Sequence, residues 1–406
     1  MKFRATRPTG GLALATRPQP AQHAAPEPLV TKRQIELVRA TVAAVEPCAA
    51  DLPRFFYTLL FERHPQVREL FPIRMEVQQD RLLRALLMIV DLVDDPDNLA
   101  RFCSDLGRDH RKFGTVTAHY GAVGECLLAT LAHFAGPAWT LETAEAWTTA
   151  YNVAAQAMDQ AAIEDAKHRP AVWQAQITGH RRRAHNLAEI TVQPDQAYPY
   201  RGGQFVSMTT PWWPRTWRYY SPAHAARRDN SITFLVRAVT GGRVSNALVR
   251  QAETGDVVTL GPPLGDLALD PHSPRPVVCV AGGTGLATAR ALIEQAVLDG
   301  TRRPIDLYVG ARTLEELYSL DDLHQLARRH GWLAVRATVA DELTTGSGAQ
   351  LLNTMAQHGP WPEHDAYLAG PASLVVAAAR VLQRGGIPLE RLHHDPFVSL
   401  DQVDHS

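Results

Sequence analysis

The chain has 406 residues, 45% of them hydrophobic and 20% charged, with a formal net charge of −1. That length suits two or three domains with cores of their own, and the near-neutral balance offers no electrostatic footprint for a nucleic acid. The four cysteines, Cys48, Cys103, Cys126 and Cys279, form no C-x-x-C pair, which argues against a zinc or disulfide framework and fits a reducing cytoplasm.

Residues 1–27 are rich in Pro, Arg, Ala and Thr and are expected to form a disordered tail; Gly10 to Ala15 is too short for a signal-peptide core. From 28 to 168 the pattern is helical throughout. Leu82, Leu86, Ile89 and Val93, then Val123, Leu127 and Leu131, then Trp147, Tyr151, Ala154 and Met158 recur at helical spacing. The longest apolar stretch, Ala85 to Val93, is broken by Asp91 and is far too short to cross a bilayer.

After His168-Arg169-Pro170 the texture changes. Short β-branched runs at 190–192, 205–207, 232–236 and 257–260, each bounded by turn residues, predict an antiparallel barrel over 169–273. From 274 to 406 strands at 277–280, 305–309, 333–339 and 366–368 alternate with helices, the pattern of a parallel α/β domain. Thr313-Leu314-Glu315-Glu316 reads as a capping box opening one of those helices. The fold class is therefore multidomain: all-α, then β-barrel, then α/β.

Three motifs in the second half carry chemistry. Gly282-Gly283-Thr284-Gly285 follows an apolar strand and opens a helix. There glycine lets the backbone approach a pyrophosphate and free N–H groups meet its charge, although a plain tight turn would look similar. Arg218-Tyr219-Tyr220-Ser221 offers a cation, rings and a hydroxyl. Gly241-Gly242-Arg243-Val244-Ser245-Asn246 offers small residues and donors. In this order they resemble the ferredoxin–NADP reductase superfamily. The resemblance implies that Gln204, Arg218, Tyr220 and Ser221 contact FAD and that Gly242, Val244 and Ser245 form its diphosphate loop. It also implies that Gly282, Gly283, Thr284 and Gly285 hold NAD(P)H, with Arg312 and Gly370 beside them. Arg312 suits either a 2′-phosphate or a diphosphate, so the choice between NADH and NADPH stays open. The family's C-G-P triplet becomes Ala369-Gly370-Pro371 here.

The first half carries an ordered set: Phe55-Phe56-Tyr57, His64-Pro65, Phe71, Gln78 and Leu82 one helical turn apart, His110, and Tyr120. Singly, Tyr57 and Phe71 would pass as core aromatics, and His64, His119 and His133 as ordinary histidines. As a set they resemble the bacterial globins, and the whole chain resembles the flavohemoglobins. This resemblance implies heme b ligated by His110 and wedged by Phe71. It places Tyr57, Gln78 and Leu82 over bound oxygen and Tyr120 on the proximal side. Phe397, in His393-His394-Asp395-Pro396-Phe397, would cover the flavin. One departure stands out: Ala162 occupies the place of a glutamate on the last globin helix. The implied activity is nitric oxide dioxygenation, with electrons passing from NAD(P)H through FAD to heme. The alternatives are a flavoheme reductase with another acceptor (a peroxide, a quinone or an electron-transfer protein) and a heme-based sensor. Small molecules (O2, NO and NAD(P)H) are the expected partners, without nucleic acid or a membrane segment, in a monomer or weak dimer.

Overall fold

The computed structural model describes residues 30–265, 267–339 and 347–395. The expected tail at 1–27 and the candidate flavin cover Phe397 lie outside the described residues.

Six α-helices build the first unit: α1 (Lys32–Val45), α2 (Leu52–Arg63), α3 (Glu76–Asp91), α4 (Pro96–His110), α5 (Thr117–Ala135) and α6 (Leu141–Ala166). Local chemistry sets their starts. Thr31 and Gln34 cap α1 reciprocally, Asp95 accepts from the Asn98 N–H at the start of α4, and Thr140 accepts from the Thr143 N–H at the start of α6. Their apolar faces enclose one core that includes Phe56, Leu60, Leu131 and Trp147. Helices α4 and α6 approach so closely that a Cβ on Gly107 would lie 2.0 Å from the Met158 carbonyl oxygen.

A six-stranded antiparallel sheet follows: β1 (Trp173–Ala184), β2 (Leu187–Pro194), β3 (Phe205–Thr210), β4 (Trp213–Tyr220), β5 (Ile232–Arg237) and β6 (Val257–Leu264), in the order β4-β3-β6-β1-β2-β5. Helix α7 (Arg243–Arg250) packs Val244, Leu248 and Val249 into its core. Two strands here, β1 and β4, go beyond the four β-branched runs. Strand β1 alternates buried Trp173, Ala175 and Ile177 with exposed Gln174, Gln176 and Thr178, a pattern of burial rather than of β-branching. Strand β4 is short of aliphatic residues and instead carries Trp213, Trp217, Tyr219 and Tyr220.

The third unit is a five-stranded parallel sheet. Its elements are β7 (Val277–Gly282), α8 (Gly285–Leu298), β8 (Ile305–Ala311), α9 (Leu320–Arg329), β9 (Leu333–Val339), α10 (Ser347–His358), β10 (Asp365–Ala369), α11 (Ala372–Arg384) and β11 (Leu392–His394). The order β11-β10-β7-β8-β9 puts a topological switch between β7 and β10, where α/β sheets open a ligand crevice at their carboxyl ends. The predicted capping box at Thr313 is corrected. A short 3-10 turn occupies 314–317, the Thr313 side chain makes no cap bond, and α9 begins only at Leu320. The Glu316 carboxylate instead accepts from the Arg312 backbone N–H at 3.2 Å and from its guanidinium at 2.9 Å. The fifth strand, β11, is too short to be read from periodicity.

Gly107→Ala should force α4 and α6 apart at a cost of about 2–3 kcal/mol. The expected result is a lower thermal midpoint for the helical unit, followed by far-UV circular dichroism, while the transition of the sheet units stays in place. Coincident, unshifted transitions would show that the contact yields freely.

A candidate site between the helical unit and the barrel

One cavity of about 900 Å³ opens between the helical unit and the barrel. Its walls bring together Tyr57 from α2, Phe71 from the segment before α3, Gln78 and Leu82 from α3, His110 from the end of α4, and Tyr120 from α5, residues spread over more than sixty positions of sequence. On the barrel side it is walled by the β3–β4 turn and most of β4, including Trp213, Trp217, Arg218 and Tyr219.

His110 is well defined chemically. Its Nδ1 lies 2.6 Å from the Leu106 carbonyl oxygen. A carbonyl can only accept, so Nδ1 carries the proton and Nε2 keeps the lone pair. Burial holds this imidazole below the usual histidine range, so it is neutral near pH 7. A neutral imidazole with its second nitrogen held by a carbonyl is the form that ligates iron. The walls around it are largely apolar. These residues fit a heme.

Tyr57 is almost fully buried and sits edge-on to Phe71, with ring centroids 5.4 Å apart. Its hydroxyl donates to the Gln78 main-chain carbonyl at 3.4 Å, a long bond that a better acceptor could replace. Burial pushes this phenol up to about 12. On the other side, the Tyr120 hydroxyl is buried with no hydrogen-bond partner among the described residues, and burial pushes it to about 12 as well. Asp159, the carboxylate near it on α6, is engaged by the Thr117 hydroxyl at 2.8 Å. Ala162 offers nothing in its place.

The flavin-side residues are held as the barrel dictates. Arg218 donates to the Trp217 carbonyl at 2.8 Å and points along the cavity wall. Tyr220 packs partly buried against the barrel core, burial raising its phenol well above the usual range, and Ser221 follows it at the strand end. Gln204 has both amide ends occupied, accepting from the Arg201 N–H at 2.9 Å and donating to the Gly265 carbonyl at 3.1 Å. In the glycine loop Ser245 and Asn246 bond back to Val239 and Gly242 and fix its shape. Val244 puts its side chain into the barrel core, so only its backbone is available to a ligand.

At the other crevice the glycines divide their work. Gly283 has φ +55° and open space where a Cβ would be, which suits close approach of a diphosphate. Gly285 packs against β10, and a Cβ there would lie 2.2 Å from the Ala369 carbonyl oxygen. Gly282 ends β7, Thr284 precedes α8 without a side-chain cap bond, and Gly370 lies beside Gly282 across the switch point. Arg312 is mostly exposed at the end of β8.

Sequence reasoning missed Lys112. Its side chain is only 1% exposed, its Nζ lies 2.6 Å from Asp109 and it donates to Ser207 of the barrel at 3.1 Å. The ammonium also sits 5.0–5.4 Å from the ring centroids of Phe113, Trp217 and Tyr219. Gly261 makes room for it: a Cβ there would be 3.1 Å from Lys112 Cδ. A lysine two residues after a candidate ligand gives no signal in sequence, because its partners come from another unit.

The comparisons agree with this architecture. Residues 54–158 match the globin family model, 175–268 the oxidoreductase FAD-binding domain and 279–380 the oxidoreductase NAD-binding domain. The chain is thus a globin joined to an FAD- and NAD-dependent oxidoreductase module. A flavohemoprotein of Bordetella pertussis is 28% identical over 89% of this chain and 96% of its own length. One of Chromobacterium violaceum is 26% identical over 91% and 99%. The solved flavohemoglobin of Malassezia yamatoensis, which holds FAD and heme, superposes with a TM-score of 0.73 at 17% identity and covers 90% of this chain and 99% of that one. Over about nine-tenths of its length the chain is similar to flavohemoproteins, and its globin, FAD-binding and NAD-binding domains take heme, FAD and a nicotinamide nucleotide as cofactors. No helix among the described residues is long and apolar enough to cross a membrane.

Removing the Lys112 ammonium leaves Asp109 without its buried partner. Lys112→Met should destabilise the docked arrangement by about 3 kcal/mol, and Asp109→Asn in the same chain should recover part of it. Thermal midpoints of the two variants check this; equal losses in single and double variants would show that the pair is not coupled.

Proposed function

We propose that this chain is a flavohemoglobin and a cytoplasmic nitric oxide dioxygenase, converting nitric oxide and O2 to nitrate with electrons drawn from NAD(P)H. The carrying observation is one cavity that gathers a neutral, buried His110 and a buried phenol donor, Tyr57, and is walled on the flavin side by Arg218 and Tyr219. When bound, the nicotinamide and flavin supply hydride and single-electron chemistry, and the heme supplies the oxygen chemistry. The protein positions these groups and shapes the cavity. His110 presents Nε2 as the iron ligand. Tyr57 and Gln78 offer hydrogen bonds to dioxygen in the cavity, where a low dielectric strengthens them. Leu82 narrows the access beside them, and Phe71 packs against the ring of Tyr57. The Gly282–Gly285 turn receives the nucleotide diphosphate, and Arg218 and Ser221 receive the flavin phosphates. Arg312 is already paired with Glu316, so it reaches the nucleotide only by sharing that partner.

A second reading has an observation of its own. Tyr120 keeps a buried hydroxyl without a partner among the described residues, and α6 has alanine at 162. No carboxylate enriches His110 from that side, which favours a flavoheme reductase that serves another acceptor. Nitric oxide consumption by heme- and FAD-loaded protein in oxygenated buffer separates the two. Its absence with both NADH and NADPH would leave the reductase reading.

Tyr57→Phe removes only the donor. Nitric oxide consumption should slow about tenfold, as expected for loss of one hydrogen bond to a charged acceptor, with flavin reduction by NAD(P)H unchanged. The phenol's folded value lies near 12 against 10 unfolded, so its stability contribution is complete below pH 10 and is lost as pH rises through 12. The difference between wild type and variant should therefore be flat from pH 6 to 9. A difference that titrates in that window would remove Tyr57 as a neutral donor.

A further inference from the structure

Arg81 stands on α3 between Gln78 and Leu82 on one side and the barrel on the other, and it lines the cavity. Its guanidinium lies 5.6 Å from the ring centroid of Tyr219, a residue of the flavin unit. No ion pair to Arg81 exists among the described residues, and none to Arg218, whose guanidinium bonds only the neighbouring Trp217 carbonyl. Burial holds Arg218 below the ordinary guanidinium range, and the charge of Arg81 pushes it the same way. Among the described residues two carboxylates line the cavity: Asp109 is taken by Lys112, and Glu76 makes no ion pair with either guanidinium. Two guanidinium groups thus face the same partly enclosed space with no carboxylate of the described residues within ion-pair distance of either. Such an arrangement is unfavourable by itself and becomes favourable once an anion lies between the cations.

We infer that Arg81 binds a carboxylate of the heme, so that the heme site is completed by a cation at the seam between the globin and flavin units. This rests on the heme reading of the cavity. Heme b carries two carboxylates on one edge, and Arg81 occupies the same helix as Gln78 and Leu82, one residue before Leu82. Arg218 carries the flavin motif and remains available to a flavin phosphate. The flavin diphosphate is the other anion that could meet Arg81, and the chemistry at the guanidinium would be the same.

Full-length, FAD-loaded protein distinguishes these sources. Wild type, Arg81→Met and Arg81→Lys are each loaded with protoheme or with its dimethyl ester, whose carboxylates are uncharged. Heme transfer to excess apomyoglobin is followed in the Soret region, and FAD retention is followed by gel filtration. Wild type should release the ester about tenfold faster than protoheme, the loss expected for one charge-assisted bond. Arg81→Met should release protoheme about tenfold faster than wild type and no longer distinguish the two hemes. Arg81→Lys should restore part of the discrimination, and FAD retention should be the same in all three. Undiminished discrimination in Arg81→Met would overturn the assignment. So would loss of FAD with heme release unchanged, which would place the flavin diphosphate at Arg81. Wild-type protein that takes up neither heme would overturn the heme reading of the cavity itself, a result separate from the other two.

Discussion

A buried ammonium cannot stay charged without compensation, and the way Lys112 is compensated ties the molecule together. Its carboxylate partner, Asp109, comes from α4, one residue before His110. Its hydroxyl partner, Ser207, comes from β3. Its aromatic neighbours come from both units. Satisfying one charge therefore fixes the end of α4 against the barrel, and with it the histidine against the strand that carries Arg218. Phe113 continues the contact, edge-on to His110 at 5.8 Å and to Trp217 at 6.2 Å. The cavity inherits its shape from this seam: its helical wall and its barrel wall belong to different units and meet only because they are docked.

The same end of α4 is braced from behind. Arg111 pairs with the buried Asp165 of α6 and donates to the Arg169 carbonyl at 2.9 Å, while Arg169 pairs with the other oxygen of Asp165. Helix α6 and the segment leading into β1 are thus held to the residue that follows His110. A second seam joins the barrel to the parallel sheet. His224 and the Ala225 N–H both meet Glu294 of α8, and Arg290 bridges Glu294 to Asp322. Apart from Asp322, which is exposed, the charged groups at both seams are largely shielded from water and paired with directional partners. Such contacts specify geometry more than they add net stability. For a chain that hands electrons between cofactors in different units, geometry is the property that matters.

The proximal side departs from this thorough pairing. Among the described residues the Tyr120 hydroxyl is buried and unmatched, where most buried polar groups are bonded. The Tyr151 hydroxyl nearby donates to the Tyr120 carbonyl at 2.5 Å, so the backbone of α5 is held even though the phenol is not. His110 is therefore oriented by its own helix, through Leu106, rather than by a side-chain network reaching across from α6. In its proposed role as iron ligand, His110 would have a backbone carbonyl rather than a carboxylate on Nδ1, which would leave the iron less electron-rich.

Much of this was legible in sequence because it depends on near neighbours. Helical periodicity marked 28–168, and glycines at 282–285 and 370 marked the switch point, where positive φ or close packing leaves no other choice. The ordered set from Tyr57 to Tyr120 marked the cavity. Strand β1 escaped because its signal is alternation of burial, which short runs of β-branched residues do not capture. The Thr313 box misled because Glu316 found better donors in Arg312 and Arg237. Beyond those lie features no local pattern contains. Which tautomer His110 adopts, that Tyr120 is unmatched, that Lys112 is buried and that Arg81 lies without a carboxylate are all set by atoms distant in the chain. The sequence by itself determined the order of helical, barrel and α/β units, which follows from periodicity within each segment, and its motifs carried the resemblance that implies the cofactors. Only the tertiary structure decided how the units share one cavity, because burial and charge compensation exist only once the segments meet.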